Sequence, residues 1–340
     1  LVLTALRPAR PSRLRDGLVL GLGAAVPLGV TQLLGGDGGV MNFSGTDALH
    51  AFVTGLALAV LIKVPVLRVG GLLAALLVVG AYLVPSPVGL NATRLVTMFT
   101  LPLVGAYAFP AGGTGRVRRA GLPLVVTLLV VGLWQPPLLA GDLLDAGNPT
   151  ASRSYFAPLL AELARRQPTV RVEVPPTRDY WEAAYVGDVL PLARGWLRQL
   201  DTARNPIFFD GPVDPEHYWS WLRDHGVGYV ALPDAELSWV GRTEADVIAT
   251  RPAYLREVWS SAHWILFAVD GSPSVVDGGT VTALTGAAVV FDVPVPGEVL
   301  VRVRPSPWLR VTGPGPARLR ADDRWTTLRV TVPGRYTVTS

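Results

Sequence analysis

The side chains with the clearest chemical potential are concentrated between Arg178 and Asp201, a stretch containing RDYWE and RGWLRQLD. Trp181 and Trp196 offer flat apolar faces that stack on sugar rings. Arg178, Asp179, Glu182, Arg194, Arg198, Gln199 and Asp201 supply donors and acceptors for hydroxyls or phosphates. That mixture suits carbohydrate recognition. It equally suits a structural network, because a helix begun at Pro191 sets Arg194 and Arg198 four apart on one face, in reach of Asp201 or Glu182. A second group, Asn91 and Arg94 in PVGLNATRL, places a guanidinium where it can hold a lipid phosphate or polyprenyl-phosphate head group, or serve only as an interfacial anchor beside a helix cap. Asp37 and Asp47 share one loop and read as solvated acids before they read as a base or metal ligands.

Other chemistries find no pattern. The 340 residues include no cysteine, which removes disulfides, thiolate catalysis and Cys-based metal sites. His217, His225 and His263 match no HExxH spacing, so no metal ligand set is assigned. No GxGxxG behind a strand, no Walker A sequence and no GxSxG is present. No cofactor is evident, although a divalent cation is left open. No catalytic residue can be named from these patterns.

The elements that must position these groups divide at about residue 140. Ten Lys and Arg stand against three Asp and Glu before that point, and twenty against twenty-three after it. The net charge of +4 therefore belongs to the first part, where the cations lie in loops between apolar runs; nucleic-acid binding is not expected. The runs are Gly17–Leu34, Ala48–Ile62, Val69–Val84, Leu95–Phe109 and Leu122–Ala140. The last has no charge, and as a helix it would extend roughly 28 Å, about a bilayer's hydrocarbon thickness. Five membrane spans are expected over 17–140, following a basic cytoplasmic loop at 1–16. The first residues, LVLTALRPAR, read as a truncation within a larger membrane protein.

Arg7, Arg10, Arg13 and Arg15, then Lys63 and Arg68, then Arg116, Arg118 and Arg119 occupy alternate loops, while Gly35–Asp47 and Pro85–Thr93 hold no Lys or Arg. The positive-inside rule puts the cationic loops in the cytoplasm and everything after Ala140 outside it. Beyond residue 150, helical and apolar extended segments alternate, and an extracytoplasmic α/β domain is expected over 150–272. TVRVEV, VGYVALP and HWILFAV read as strands, EHYWSWLRDHG as a helix closed by Gly226, and EADVIATRPAYLREVW as helix. From 273 to 340, short alternating strands with Gly and Pro punctuation predict a small β-sandwich-like module, with Val301 and Val303 buried and Leu300, Arg302 and Arg304 wet.

The run WQPPLLAGDLLDAGNPTASRSYFAPLLAEL, followed by RVEVPPTRDYWEAAYV, LARGWLRQLD, NPIFF, YVALPDAEL and VWSSAHWILFAV, resembles the C-terminal part of uncharacterised actinobacterial polytopic membrane proteins. Their layout is similar to the GT-C class of glycosyltransferases. The likeness extends from about Pro85 to Val269. It implies a multi-pass cell-membrane protein transferring a sugar from a polyprenyl-phosphate donor to an envelope glycan, with its catalytic Asp in a first outer loop ahead of Leu1. The expected partners are thus the bilayer, the lipid-linked sugar and the glycan. The alternatives are a transporter or lipid exporter with an outer docking domain, and a non-catalytic glycan-binding envelope scaffold.

Overall fold

The computed structural model describes residues 11–35, 39–107, 121, 125–126, 128–133, 143, 145–197 and 199–340. It divides into two units, residues 1–147 with 198–203, and residues 148–197 with 204–340.

In the first unit, α1 (Pro11–Gly35), α2 (Gly45–Leu61), α3 (Pro65–Leu83) and α4 (Arg94–Tyr107) are joined by short connections. Ser44 caps α2 by accepting from the Asp47 amide and donating to the Asp47 carboxylate at 2.6 Å. Pro65 opens α3 at a position where its missing N–H costs nothing. The α2–α3 seam is made of small residues. A Cβ on Gly71 would lie 2.8 Å from the Gly55 carbonyl oxygen, and one on Gly55 would lie 3.1 Å from the Ala75 Cβ. The backbones approach because nothing larger stands between them. Arg68 closes the seam with Nε donating to the Ala59 carbonyl at 2.9 Å.

These helices overturn the expectation of a five-span membrane helical bundle. Among the described residues only α3 is both long enough and apolar enough to cross a membrane. The apolar part of α1 runs from Leu18 to Thr31, α2 has 17 residues and α4 has 14. At 1.5 Å per residue, α4 extends roughly 21 Å, well short of a bilayer core. The runs Ala48–Ile62 and Leu95–Phe109 are themselves only 15 residues long, and the helices built on them, α2 and α4, stay short of the roughly 20 residues a span needs. Most of Leu122–Ala140, and Arg116, Arg118 and Arg119, lie outside the described residues. With three small sheets in its second unit, the chain has an α/β architecture.

The second unit begins with α5 (Arg153–Arg166), capped by Ser152. A four-stranded sheet follows, in the order β1 (Arg171–Glu173), β2 (Val227–Pro233), β4 (Trp264–Val269) and β3 (Leu255–Ser260). β1 and β2 are parallel and the other pairs antiparallel. Alternate residues of β2 and β4 feed two cores. Ala231 and Leu266 join Phe156, Leu159 and Leu163 of α5, whereas Val230 and Phe267 join Tyr218 and Leu222 of α8 (Pro215–Asp224) with Val247 and Ile248 of α9 (Trp239–Ala249). Successive side chains of a strand point to opposite faces, so the sheet is covered by α5 on one side and by α8 and α9 on the other. The predicted helix through LREVW is instead α9 followed by β3: Arg251, at φ 50°, and Pro252 end the helix.

The remaining strands are β5 (Val276–Asp277), β6 (Thr280–Leu284), β7 (Ala288–Val293), β8 (Gly297–Val301), β9 (Arg310–Thr312), β10 (Ala317–Asp322), β11 (Trp325–Val330) and β12 (Gly334–Thr339). They form two four-stranded antiparallel sheets, ordered β10-β11-β8-β5 and β6-β7-β12-β9. Val299, Val301 and Leu328 from one and Phe291, Tyr336 and Val338 from the other meet in a single core. Arg302 departs from the expected wet face: it is buried, because its guanidinium donates to the Asp277 carboxylate and the Ser274 carbonyl, each at 2.7 Å.

Candidate functional site

The chain leaves β1 through Val174, Pro175, Pro176 and Thr177. Arg178 then donates its amide to the Glu236 carbonyl, and Tyr180 adopts the left-handed conformation that starts α6 (Trp181–Tyr185). Helix α6 has only five residues. The expected second helical piece from Pro191 is absent: Leu192 instead forms a parallel bridge with Val172, and Gly195 turns the chain at φ 60°. Strand-like pairing wins because the Ala193 amide and the Val172 carbonyl satisfy each other, as do the Val172 amide and the Pro191 carbonyl.

This irregular path forms one wall of a cavity of about 760 Å³. Asp179, Trp181 and Trp196 line that wall. The β6–β7 hairpin from Leu284 to Val289 contributes to the lining from the C-terminal sandwich, together with Val303 and Leu309. Trp196 is 56% exposed. Trp181 is partly buried and stacks on Tyr185 with centroids 5.6 Å apart. Asp179 is exposed, and its Oδ2 accepts from the Asn148 side-chain amide at 2.9 Å.

The other predicted site residues go elsewhere. Arg178 pairs with Glu236 at 3.1 Å on the surface. Glu182 is buried, accepts from the Thr177 amide and hydroxyl, and is pushed up to about 7 by burial. Arg194 is buried with its guanidinium 4.1 Å from the Phe208 ring centroid, 3.3 Å from Glu244 and 3.9 Å from Glu173. Glu244 also accepts from the Tyr218 hydroxyl at 2.8 Å. This is an internal ion network; Arg198 lies outside the described residues. Gln199 and Asp201 fall on α7 (Gln199–Arg204) and do not line the cavity. Asn91 and Arg94 belong to the first unit, where Arg94 is exposed at the start of α4 and donates its amide to the Asn91 carbonyl.

Two features had no sequence signal. Arg171 lines the cavity although it lies more than a hundred residues from the sandwich strands it touches; its guanidinium donates to the His225 carbonyl at 2.8 Å and to the Arg302 carbonyl. His263, read as isolated, has Nδ1 2.8 Å from Asp234 Oδ2, while the Tyr155 hydroxyl donates to Asp234 Oδ1 at 2.7 Å. Among the described residues no cluster of three His, Asp or Glu could hold a metal ion. No known protein family, curated protein or solved structure matches this chain.

Proposed function

We propose that the second unit binds a saccharide in this cavity and that the protein handles glycans at a membrane surface, gripping the acceptor for glycosyl transfer from a lipid-linked donor. The observation that carries the binding reading is that the exposed Trp196, Trp181 and Asp179 line one cavity wall. An apolar ring stacks on the C–H face of a sugar while a carboxylate accepts its hydroxyls. Among the described residues Asp179 is the one carboxylate side chain in the lining, so the wall grips a sugar and does not supply the paired acids of glycoside chemistry.

Membrane contact is supported by the exposed apolar surface of the first unit. Leu76 is 64% and Leu83 68% exposed on α3, and Leu33 of α1 is 88% exposed. Such surface is costly in water and costs nothing against lipid tails. With α3 as the crossing helix, Lys63 and Arg68 at its start and the cation-free Pro85–Thr93 beyond its end support an extracytoplasmic second unit.

Titrating the full chain in detergent with an oligosaccharide panel tests the binding. Trp196→Ala is expected to weaken the best ligand about tenfold with unchanged thermal unfolding. Equal binding by wild type and variant, or no saccharide bound by either, removes the reading. Because the chain has no native cysteine, Glu298→Cys gives a single thiol for sidedness. Labelling by an impermeant reagent in intact cells is expected; labelling only after lysis overturns the orientation.

A further inference from the structure

Arg171 has unusual surroundings for a partly buried cation. Its guanidinium spends donors on the carbonyls of His225 and Arg302 and lies 5.7 Å from the Trp325 ring centroid. Among the described residues it has no carboxylate within ion-pair distance. The charges that act on it most are Arg304 and Arg302, which together with the dominant effect of burial hold it down to about 10. Arg304, whose guanidinium lies 5.3 Å from the same Trp325 ring centroid, is also pushed down, first by burial and then by Arg204 and Arg324.

The acids nearby are already committed. Asp277 answers Arg302 at 2.7 Å. Asp224 takes Arg324 at 2.8 Å and the Trp325 indole N–H at 3.1 Å. Neither Arg171 nor Arg304 has an ion pair of its own among the described residues, so the neighbourhood carries surplus positive charge beside a cavity that Arg171 lines. A half-buried charge without a partner is costly unless something else compensates it, and a guanidinium is shaped to accept a planar or tetrahedral oxyanion.

We infer that the cavity takes an anionic saccharide, a sugar bearing a carboxylate or phosphate, with Arg171 holding the oxyanion while Trp196 carries the sugar ring. This rests on the saccharide-binding reading and narrows it. Asp179, whose Oδ2 already accepts from Asn148, remains the acceptor for neutral hydroxyls.

The test compares matched ligands on the full chain in detergent: glucose, galactose, mannose and arabinose oligosaccharides against glucuronate, galacturonate and the corresponding sugar 1-phosphates, with inorganic phosphate alone. An uronate or a sugar phosphate is expected to bind about tenfold or more tighter than its neutral counterpart, with an advantage that shrinks as salt is raised. Uronates and sugar phosphates then distinguish the two sources of the oxyanion. Arg171→Gln should abolish the advantage while neutral sugars bind as before, and Arg171→Lys should retain part of it. If Arg171→Gln does not fold, having lost its two carbonyl ties, the wild-type ratio and Arg171→Lys decide. Equal affinity for charged and neutral sugars overturns the inference and leaves saccharide binding standing. Phosphate binding as tightly as a sugar phosphate overturns the sugar's part in it, and no binding by any sugar removes the underlying reading as well.

Discussion

The two units bury different mixtures of residue. In the helical unit the α2–α3 seam closes on the small residues Ala51, Thr54, Gly55, Ala59, Gly71 and Ala75, with Leu58, Ile62 and Val78 as the larger buried groups, while Leu49, Leu72, Leu73, Leu76, Leu77 and Leu83 face out. In the second unit the large side chains go in: Trp264, Tyr218, Phe208, Phe291 and Tyr336 are all essentially inaccessible. The difference teaches how each unit is held together. Water drives large apolar groups inward and rewards a bulky core, whereas across a seam of glycine and alanine the attraction comes from close approach of the backbones.

The sharpest way to break this comparison is at the buried ion network. Arg194→Met removes the buried guanidinium 3.3 Å from Glu244 and 3.9 Å from Glu173 and should destabilise the second unit by about 3–5 kcal/mol in urea unfolding. A loss below about 1 kcal/mol would mean that Arg194 is solvated after all.

The next effect is a pH dependence. The Glu182 carboxyl titrates near 7 in the fold against an ordinary 4.5, so its protonated form favours folding. Its contribution is complete below pH 4.5 and is lost as pH rises through 7, on the order of 3 kcal/mol. His225 runs the other way: burial holds it down to about 4 against 6.5, so its contribution is present above 6.5 and lost as pH falls toward 4. The two slopes oppose each other from 4.5 to 6.5, and only the Glu182 decline remains from 6.5 to 7. Glu182→Gln should convert this profile into a simple rise from pH 4 to 6.5 followed by a plateau. An unchanged profile would place the titration elsewhere.

In the helical unit the vulnerable position is the seam. Gly71→Val forces a side chain against the Gly55 carbonyl and should cost about 1–3 kcal/mol, read as earlier thermal loss of the helical signal in detergent. The smallest effect sharpens the contrast most: Leu76→Ala removes a large apolar group from the surface and should change stability in detergent by less than about 0.5 kcal/mol. The same change at buried Leu266 should cost about 2–5 kcal/mol. Comparable losses at both leucines would show that the helical unit has a water-type core.

Legibility from the sequence followed the range of the interaction. VGYVALP and HWILFAV were readable because an apolar run needs cover on both faces, and both became central strands. LREVWS was not, since its Arg256 and Glu257 carry the polarity of a helix surface and only pairing with β4 makes it extended. The stretch after Pro191 failed for the same reason: its bridge to Val172 lies some twenty residues back. Of the candidate residues between 178 and 201, Trp181, Trp196 and Asp179 line the cavity, while Arg194 and Glu182, equally polar in sequence, are buried away from it. The five-span bundle fails because apolar composition alone does not make a span: the runs behind α2 and α4 are too short to cross, and of the described helices only α3 is both long and apolar enough.

By itself the sequence determined where apolar and charged residues divide, which segments carry the stacking rings, and which metal and nucleophile motifs lack their residues. These are properties of residue type and local spacing. Tertiary structure alone decided that Arg171 meets the 302–304 segment, that Asp277 and Asp224 are taken by other cations, and that the β6–β7 hairpin contributes to the cavity lining. Those outcomes depend on which distant groups are brought within a few ångströms of one another, and Coulomb and hydrogen-bond energies are set by that distance and not by separation along the chain.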